Sequence, residues 1–145
     1  MCGNTYSDTA GTTVLKNWYQ EGRWRFVFVE EPVGNIVSAL LAKPVETERW
    51  GRVCDVKMLL AKPSLSDANK LRALDVLILW MCNRLQSEGV QVAFGRQPRS
   101  FSTYVEQGLG ATIDEDHSDA QSVLLWGRTN EIAARILARH PAWLM

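Results

Sequence analysis

Histidine, proline and cysteine are all scarce in this chain of 145 residues, which has two His, five Pro and three Cys. The two histidines, His117 and His140, stand far apart with no Cys or carboxylate at ligand spacing, so no metal site is expected. Cys2, Cys54 and Cys82 form an odd set at wide intervals, which argues against a disulfide framework and for a reducing compartment. Cys54 and Cys82 lie inside apolar segments and read as small buried hydrophobes. An excess of either charge is lacking too. Lys plus Arg and Asp plus Glu number 16 each, so no general field draws the chain to nucleic acid or to an anionic membrane. The longest apolar run, residues 76–82, is too short to cross a bilayer. The first six residues, Met-Cys-Gly-Asn-Thr-Tyr, have neither a basic run nor an apolar centre, so no signal peptide is expected. No serine sits in a nucleophile-elbow pattern.

What remains is ordinary globular material with an aromatic surplus. Hydrophobic residues make up 46% and charged residues 22%, and a chain of this length buries enough surface for one sizeable core without a staple. Six tryptophans hint at more contact surface than a small core requires, and Trp18, Trp24 and Trp50 are candidates for it, against packing in the core or a hairpin.

Residues 1–10 are small and polar and read as a loose arm, and the spacing of Val14, Leu15, Trp18 and Tyr19 predicts a short helix from Thr12 or Thr13 to Gly22. From Trp24 the period changes. Residues 24–30 and 36–42, parted by Pro32, Gly34 and Asn35, read as a β-hairpin, and a loop at 44–51 leads to a strand over 53–61. Leu71, Leu74, Ile78, Met81 and Leu85 then recur at three- and four-residue intervals, predicting a helix over 67–87 that Gly89 stops. Its middle is apolar nearly all round, so more than one layer covers it. Strands are expected at 90–94, 111–114 and 122–126, and helices at 100–107 and 131–139. This order makes an α+β domain with a central, mostly antiparallel mixed sheet flanked by helices. The domain is expected over 11–128, with 129–145 as a terminal helix and an apolar tail.

The start of the long helix carries the chemistry. A helix N-terminus binds phosphate readily when the turn before it is glycine-rich and uncharged. Here Ser66 is placed to cap the helix and Asp67 to satisfy its dipole, so the chain fills its own anion site.

Residues 92–109 resemble the GNAT superfamily of acyl-CoA N-acyltransferases. In that family a strand is followed by an Asn-led turn, a short helix ending in Tyr and a Gly-hydrophobic pair, and Gln97, Tyr104 and Gly108-Leu109 stand at those positions. The likeness covers about 24–128. Lys62-Pro63-Ser64-Leu65 also matches the family's strand end, but its Arg/Gln-x-x-Gly-x-Gly/Ala phosphate loop is replaced: Ser66 stands for Arg/Gln, Asn69 and Leu71 for the two small residues, and Asp67 adds a charge. A phosphate oxygen about 4 Å from that carboxylate meets repulsion of roughly 4 kcal/mol at an effective dielectric of about 20, close to three decades of affinity.

The resemblance therefore implies a GNAT-like fold with a degenerate cofactor loop (Ser66, Asp67, Asn69, Leu71) and no cofactor, acetyl-CoA being the alternative. The expected role is non-catalytic, as a binding or structural protein. A further resemblance, to GNAT-like internal virion proteins of short-tailed bacteriophages, implies docking onto other virion proteins, in a virion or host cytoplasm. The alternative is an N-acyltransferase acting on a protein or small amine. In that case the resemblance nominates Asp55 as base and Tyr104 as acid, against the plainer readings of a solvent-facing strand residue and a ring packed on the sheet with its hydroxyl at the rim. Arg96, Gln97 and Arg99 read as a solvated loop, and residues 114–119 as a hydrated hairpin loop. Trp143, Leu144 and Met145 are candidates for anchoring in a partner, against folding back onto the domain.

Overall fold

The computed structural model describes residues 2–8, 11–19, 25–30 and 34–143, with side chains described over 27–30 and 34–143. Eight strands form one sheet in the order β1-β2-β3-β4-β5-β6-β8-β7: β1 Cys2–Asp8, β2 Gly11–Tyr19, β3 Arg25–Glu30, β4 Ile36–Thr47, β5 Gly51–Ala61, β6 Val92–Pro98, β7 Thr112–Asp114 and β8 Ser122–Arg128. Every neighbouring pair is antiparallel except β5 and β6. A parallel pair needs a long crossover, and α1, Asp67–Ser87, supplies it. Two further helices follow: α2, Arg99–Thr103, which widens into a π-type turn over Tyr104–Gly108, and α3, Thr129–Arg139.

Two N-terminal expectations are corrected. The helix expected over 12–22 is strand β2, paired with β3 so that Trp18 stands opposite Phe26 and Val14 opposite Glu30. Thr12, Thr13 and Val14 are β-branched and Trp18-Tyr19 aromatic, and an available sheet edge outweighs a weak helical spacing. The expected arm contributes β1, paired along its length with β2. Gly22 and Trp24 lie outside the described residues, as do the side chains of Cys2 and Trp18. The loop expected from Pro44 shortens to a turn at residues 48–50, because β4 runs on to Thr47 with Pro44 opposite Cys54. At Pro44 the β3 pairing has already ended, at Ala42, so β4 has one described neighbour there.

Along β4 buried and half-buried residues alternate, with Leu40, Ala42 and Pro44 on the helix-covered face. Ten consecutive residues of α1, from Ala73 to Cys82, are buried, since the helix lies between the sheet and α3. Gly89, at φ +78°, ends the helix in the left-handed conformation that glycine adopts without strain. Helix α3, expected to belong with a terminal tail, places Ile132, Ala133 and Ile136 in the main core. Among the described residues no helix is long and apolar enough to cross a membrane.

Candidate functional site

Where β5 meets β6 the sheet opens into a fork. Register joins them only at Cys54–Ala93 and Asp55–Phe94, although β5 continues to Ala61 and β6 to Pro98. Each strand is held on its outer edge, β5 by β4 as far as Ala61 and β6 by β8 as far as Pro98. The pairing of β4 with β5 skips Lys57, which is the extra residue of a β-bulge just past the last β5–β6 pair. Gly95 sits at the branch point: a Cβ there would lie 2.5 Å from the carbonyl oxygen of Val56, so only glycine lets the strands come this close. On the helix side lies an apolar cavity of about 50 Å3, lined by Val56, Leu59, Met81, Val105, Leu125 and Ile132 among others.

Gln97, expected on a solvated loop, is on β6 and lines this cavity while only 6% exposed. Its side-chain amide makes no hydrogen bond with a described residue. Such a group in an apolar setting is costly unless something else satisfies it. Its neighbours in the sequence serve another purpose. Arg96 donates to Ser122 Oγ and to the carbonyl of His117, and Arg99 donates through Nε to the carbonyl of Asp119 and lies 3.6 Å from Glu115. Both arginines brace the hairpin expected to be merely hydrated, and Asp119 secures its far side by accepting from the N–H groups of Gln121 and Ser122, which lowers its pKa.

The start of α1 is built as the sequence predicts. Ser66 is the N-cap, its Oγ accepting from Asn69 N–H at 3.2 Å, and Asp67 stands exposed in the first turn. Lys62 leans away, its Nζ 2.6 Å from Asn35 Oδ1. No glycine occurs between Lys62 and Leu71. A diphosphate would find one of the few free amide donors already used, an uncompensated carboxylate in the turn, and side chains where close backbone approach is required. The residues present do not fit the nucleotide end of coenzyme A.

Asp55 and Tyr104 are not brought together as an acid–base pair. Asp55, expected to face solvent, is 7% exposed and lies 2.7 Å from Lys57 Nζ. Tyr104, expected to keep its hydroxyl at the rim, points inward: its hydroxyl donates to Asp75 Oδ1 at 2.9 Å, and it does not line the fork cavity. Burial first, and then the Asp75 charge, raises the phenol pKa well above its ordinary value.

Asp75 is the residue that sequence reasoning missed. Fully buried in the middle of α1, it also accepts from Arg139 through Nε at 3.1 Å and Nη2 at 2.7 Å, and lies 2.8 Å from His140 Nε2. Arg139 donates in addition to the Gly108 carbonyl. Trp143 stacks on His140 with ring centroids 3.8 Å apart and packs, half-buried, against the core. Leu144 and Met145 lie outside the described residues. The available signal was a single carboxylate inside the apolar run 73–82, since a buried charge requires partners. Cys54 and Cys82 are buried, as expected, and burial pushes the Cys82 thiol up. Among the described residues no three His, Cys, Asp or Glu side chains gather as a metal site needs.

The chain matches no protein-family model, and no curated protein matches it in sequence. Solved structures do match in shape. PaiA N-acetyltransferase from Thermoplasma acidophilum, in complex with coenzyme A, superposes with a TM-score of 0.56 at 13% identity over 73% of this chain and 61% of that one. This chain thus spans less than two thirds of that protein's length. A polyamine N-acetyltransferase from Drosophila melanogaster gives 0.56 at 16% identity over 71% and 74%. Nourseothricin acetyltransferase gives 0.57 at 10% over 88% and 83%. At such identities the likeness concerns the fold alone, and that fold is the GNAT fold.

Proposed function

We propose that this chain is a non-catalytic binding component built on the GNAT fold, docking onto other proteins instead of transferring an acyl group. The observation that carries this reading is the commitment of Tyr104. Its hydroxyl is bound to a carboxylate that also holds Arg139 and His140, and none of the four residues lines the fork cavity. An acid that is to protonate a leaving group must reach it, and this one neither faces the cavity nor releases its proton readily. The start of α1 supports the same reading, because Ser66 and Asp67 occupy the place where a diphosphate would be held. The proposed setting, a bacteriophage virion with other virion proteins as partners, rests on the sequence resemblance alone.

One feature favours a second reading, an acyl-CoA-dependent N-acyltransferase. The fork persists with an unsatisfied amide beside it, and matching structures such as that of PaiA contain coenzyme A. Isothermal titration of the full chain with acetyl-CoA separates the two. The binding reading expects no saturable heat below about 1 mM, a value some three decades above micromolar affinity. Micromolar binding that is abolished by changes around Ser66 to Asn69 would overturn it in favour of the enzyme reading.

A further inference from the structure

We propose that the groove between Trp126 and the turn at residues 114–117 binds a small organic cation, whose guanidinium or alkylated ammonium head takes the place of Arg49 on the rings of Trp50 and Trp126. Such a site goes beyond the docking role above and is independent of it.

Aromatic rings from three places in the chain meet on one face of the sheet. Phe94 and Trp126 stand opposite each other in β6 and β8 and alternate with Ala93 and Leu125, which belong to the core under the helices, so their rings lie on the other face. Trp50 joins them from the β4–β5 turn, its ring centroid 6.1 Å from that of Phe94 and 5.4 Å from that of Trp126. Thr47 fixes this turn, its hydroxyl accepting from the Trp50 N–H and donating to the Gly51 carbonyl. All three aromatic residues are half-buried, so part of each stays open to a ligand. The seat already holds a cation. Arg49 lays its guanidinium 4.7 Å from the Trp50 ring centroid and 5.6 Å from that of Trp126. Arg49 is exposed and makes no hydrogen bond or ion pair with a described residue. A guanidinium kept on two indoles by the ring quadrupoles alone shows what these faces attract, and one exposed contact of this kind is weak enough to exchange.

The groove beside the rings fits the rest of such a ligand. It holds about 440 Å3 between Arg49 and Trp126 on one side and the turn on the other, the size of a small-molecule site. Opposite the indole the wall carries Asp114, Glu115 and Asp116. Asp114 lies 2.9 Å from His117 Nδ1 and Glu115 lies 3.6 Å from Arg99, whereas Asp116 is exposed and has no partner among the described residues. Once Arg49 swings into solvent, the carboxylates face no guanidinium within the groove, and its potential favours a cation over an anion. The rings supply the seat and the acidic turn adds selectivity. A compact ammonium is strongly hydrated and gains less from an indole face than a guanidinium or an alkylated ammonium does, which sets the class of head group.

The test follows the tryptophan indole N–H resonances of the full chain by NMR, assigned with Trp50→Phe and Trp126→Phe, while methylguanidinium or choline is added at constant ionic strength. The uncharged carbon isostere of choline serves as control. At least one cation should saturate with a Kd of about 1 mM or tighter and shift the Trp50 and Trp126 resonances, and the isostere should bind about fivefold more weakly or not at all. Arg49→Ala removes the resident cation and should tighten binding by about two- to fivefold, the equivalent of one exposed cation–π contact. Asp116→Asn alters an exposed residue without a partner, so it should leave stability unchanged and weaken binding about twofold at low salt, an effect that high salt removes. Lack of saturation with both cations in wild type and in Arg49→Ala, equal binding of the isostere, shifts confined to other tryptophans, an Arg49→Ala variant that binds no more tightly, or Asp116→Asn without effect at low salt would each overturn the proposal.

Discussion

Replacing Asp75 by asparagine keeps the volume of the side chain and removes its charge. Asp75 is wholly buried and accepts from Tyr104, twice from Arg139, and contacts His140, so every lone-pair direction of the carboxylate is used. In Asp75→Asn, one acceptor oxygen becomes an NH2 group that faces the donors of Arg139 or the His140 ring. Breaking a buried charge pair costs about 3–5 kcal/mol. Arg139 and His140 keep 29% and 21% side-chain exposure, so solvent compensates them in part and the low end, about 3 kcal/mol, is expected. For a domain of this size that lowers Tm by about 9 °C. Urea denaturation followed by circular dichroism measures it, with unchanged m-value as the sign that the folded state is otherwise intact. The double variant Asp75→Leu with Arg139→Met removes both charges together and should recover most of the loss, because the pair is worth little against an apolar replacement. A loss below about 0.5 kcal/mol in Asp75→Asn would refute the description of this cluster as a buried ionic lock.

Tyr104 and Gly95 yield two more expectations. Tyr104 holds its proton in the folded chain while the unfolded chain releases it near the ordinary value of 10.0, so stability from this group is complete below pH 10 and falls as pH rises above it, by at most about 1.4 kcal/mol per unit. Tyr104→Phe should remove that part of the alkaline slope; identical slopes in chemical denaturation at pH 9 and 11 would contradict the inward placement of the phenol. Gly95→Ala puts a methyl group 2.5 Å from the Val56 carbonyl oxygen, forces β5 and β6 apart at the branch point, and should cost about 2 kcal/mol in the same denaturation assay.

Much of the scaffold was legible because local and tertiary signals agree there. Helix α1 occupies the expected residues 67–87 with Ser66 as its cap, since a long amphipathic period bounded by a capping residue and Gly89 leaves the backbone few alternatives. The final helix and the β7–β8 return were legible for the same reason. The N-terminal segment was not: the spacing of Val14, Leu15, Trp18 and Tyr19 fits a helix face as well as a strand, and pairing with β3 decides between them.

For the site the division is sharper. By itself the sequence determined that Ser66 caps α1, that a carboxylate stands in its first turn and that no glycine adjoins it, because these are properties of consecutive residues. Only the tertiary structure decided where Tyr104 and Gln97 point. Tyr104, Arg139 and His140 meet Asp75 across 29 to 65 positions of sequence, and Gln97 is buried only because β6 runs further than its apolar run. Such a cluster answers to burial, where a charge must find partners wherever the packed chain brings them, and no spacing along the chain encodes that requirement.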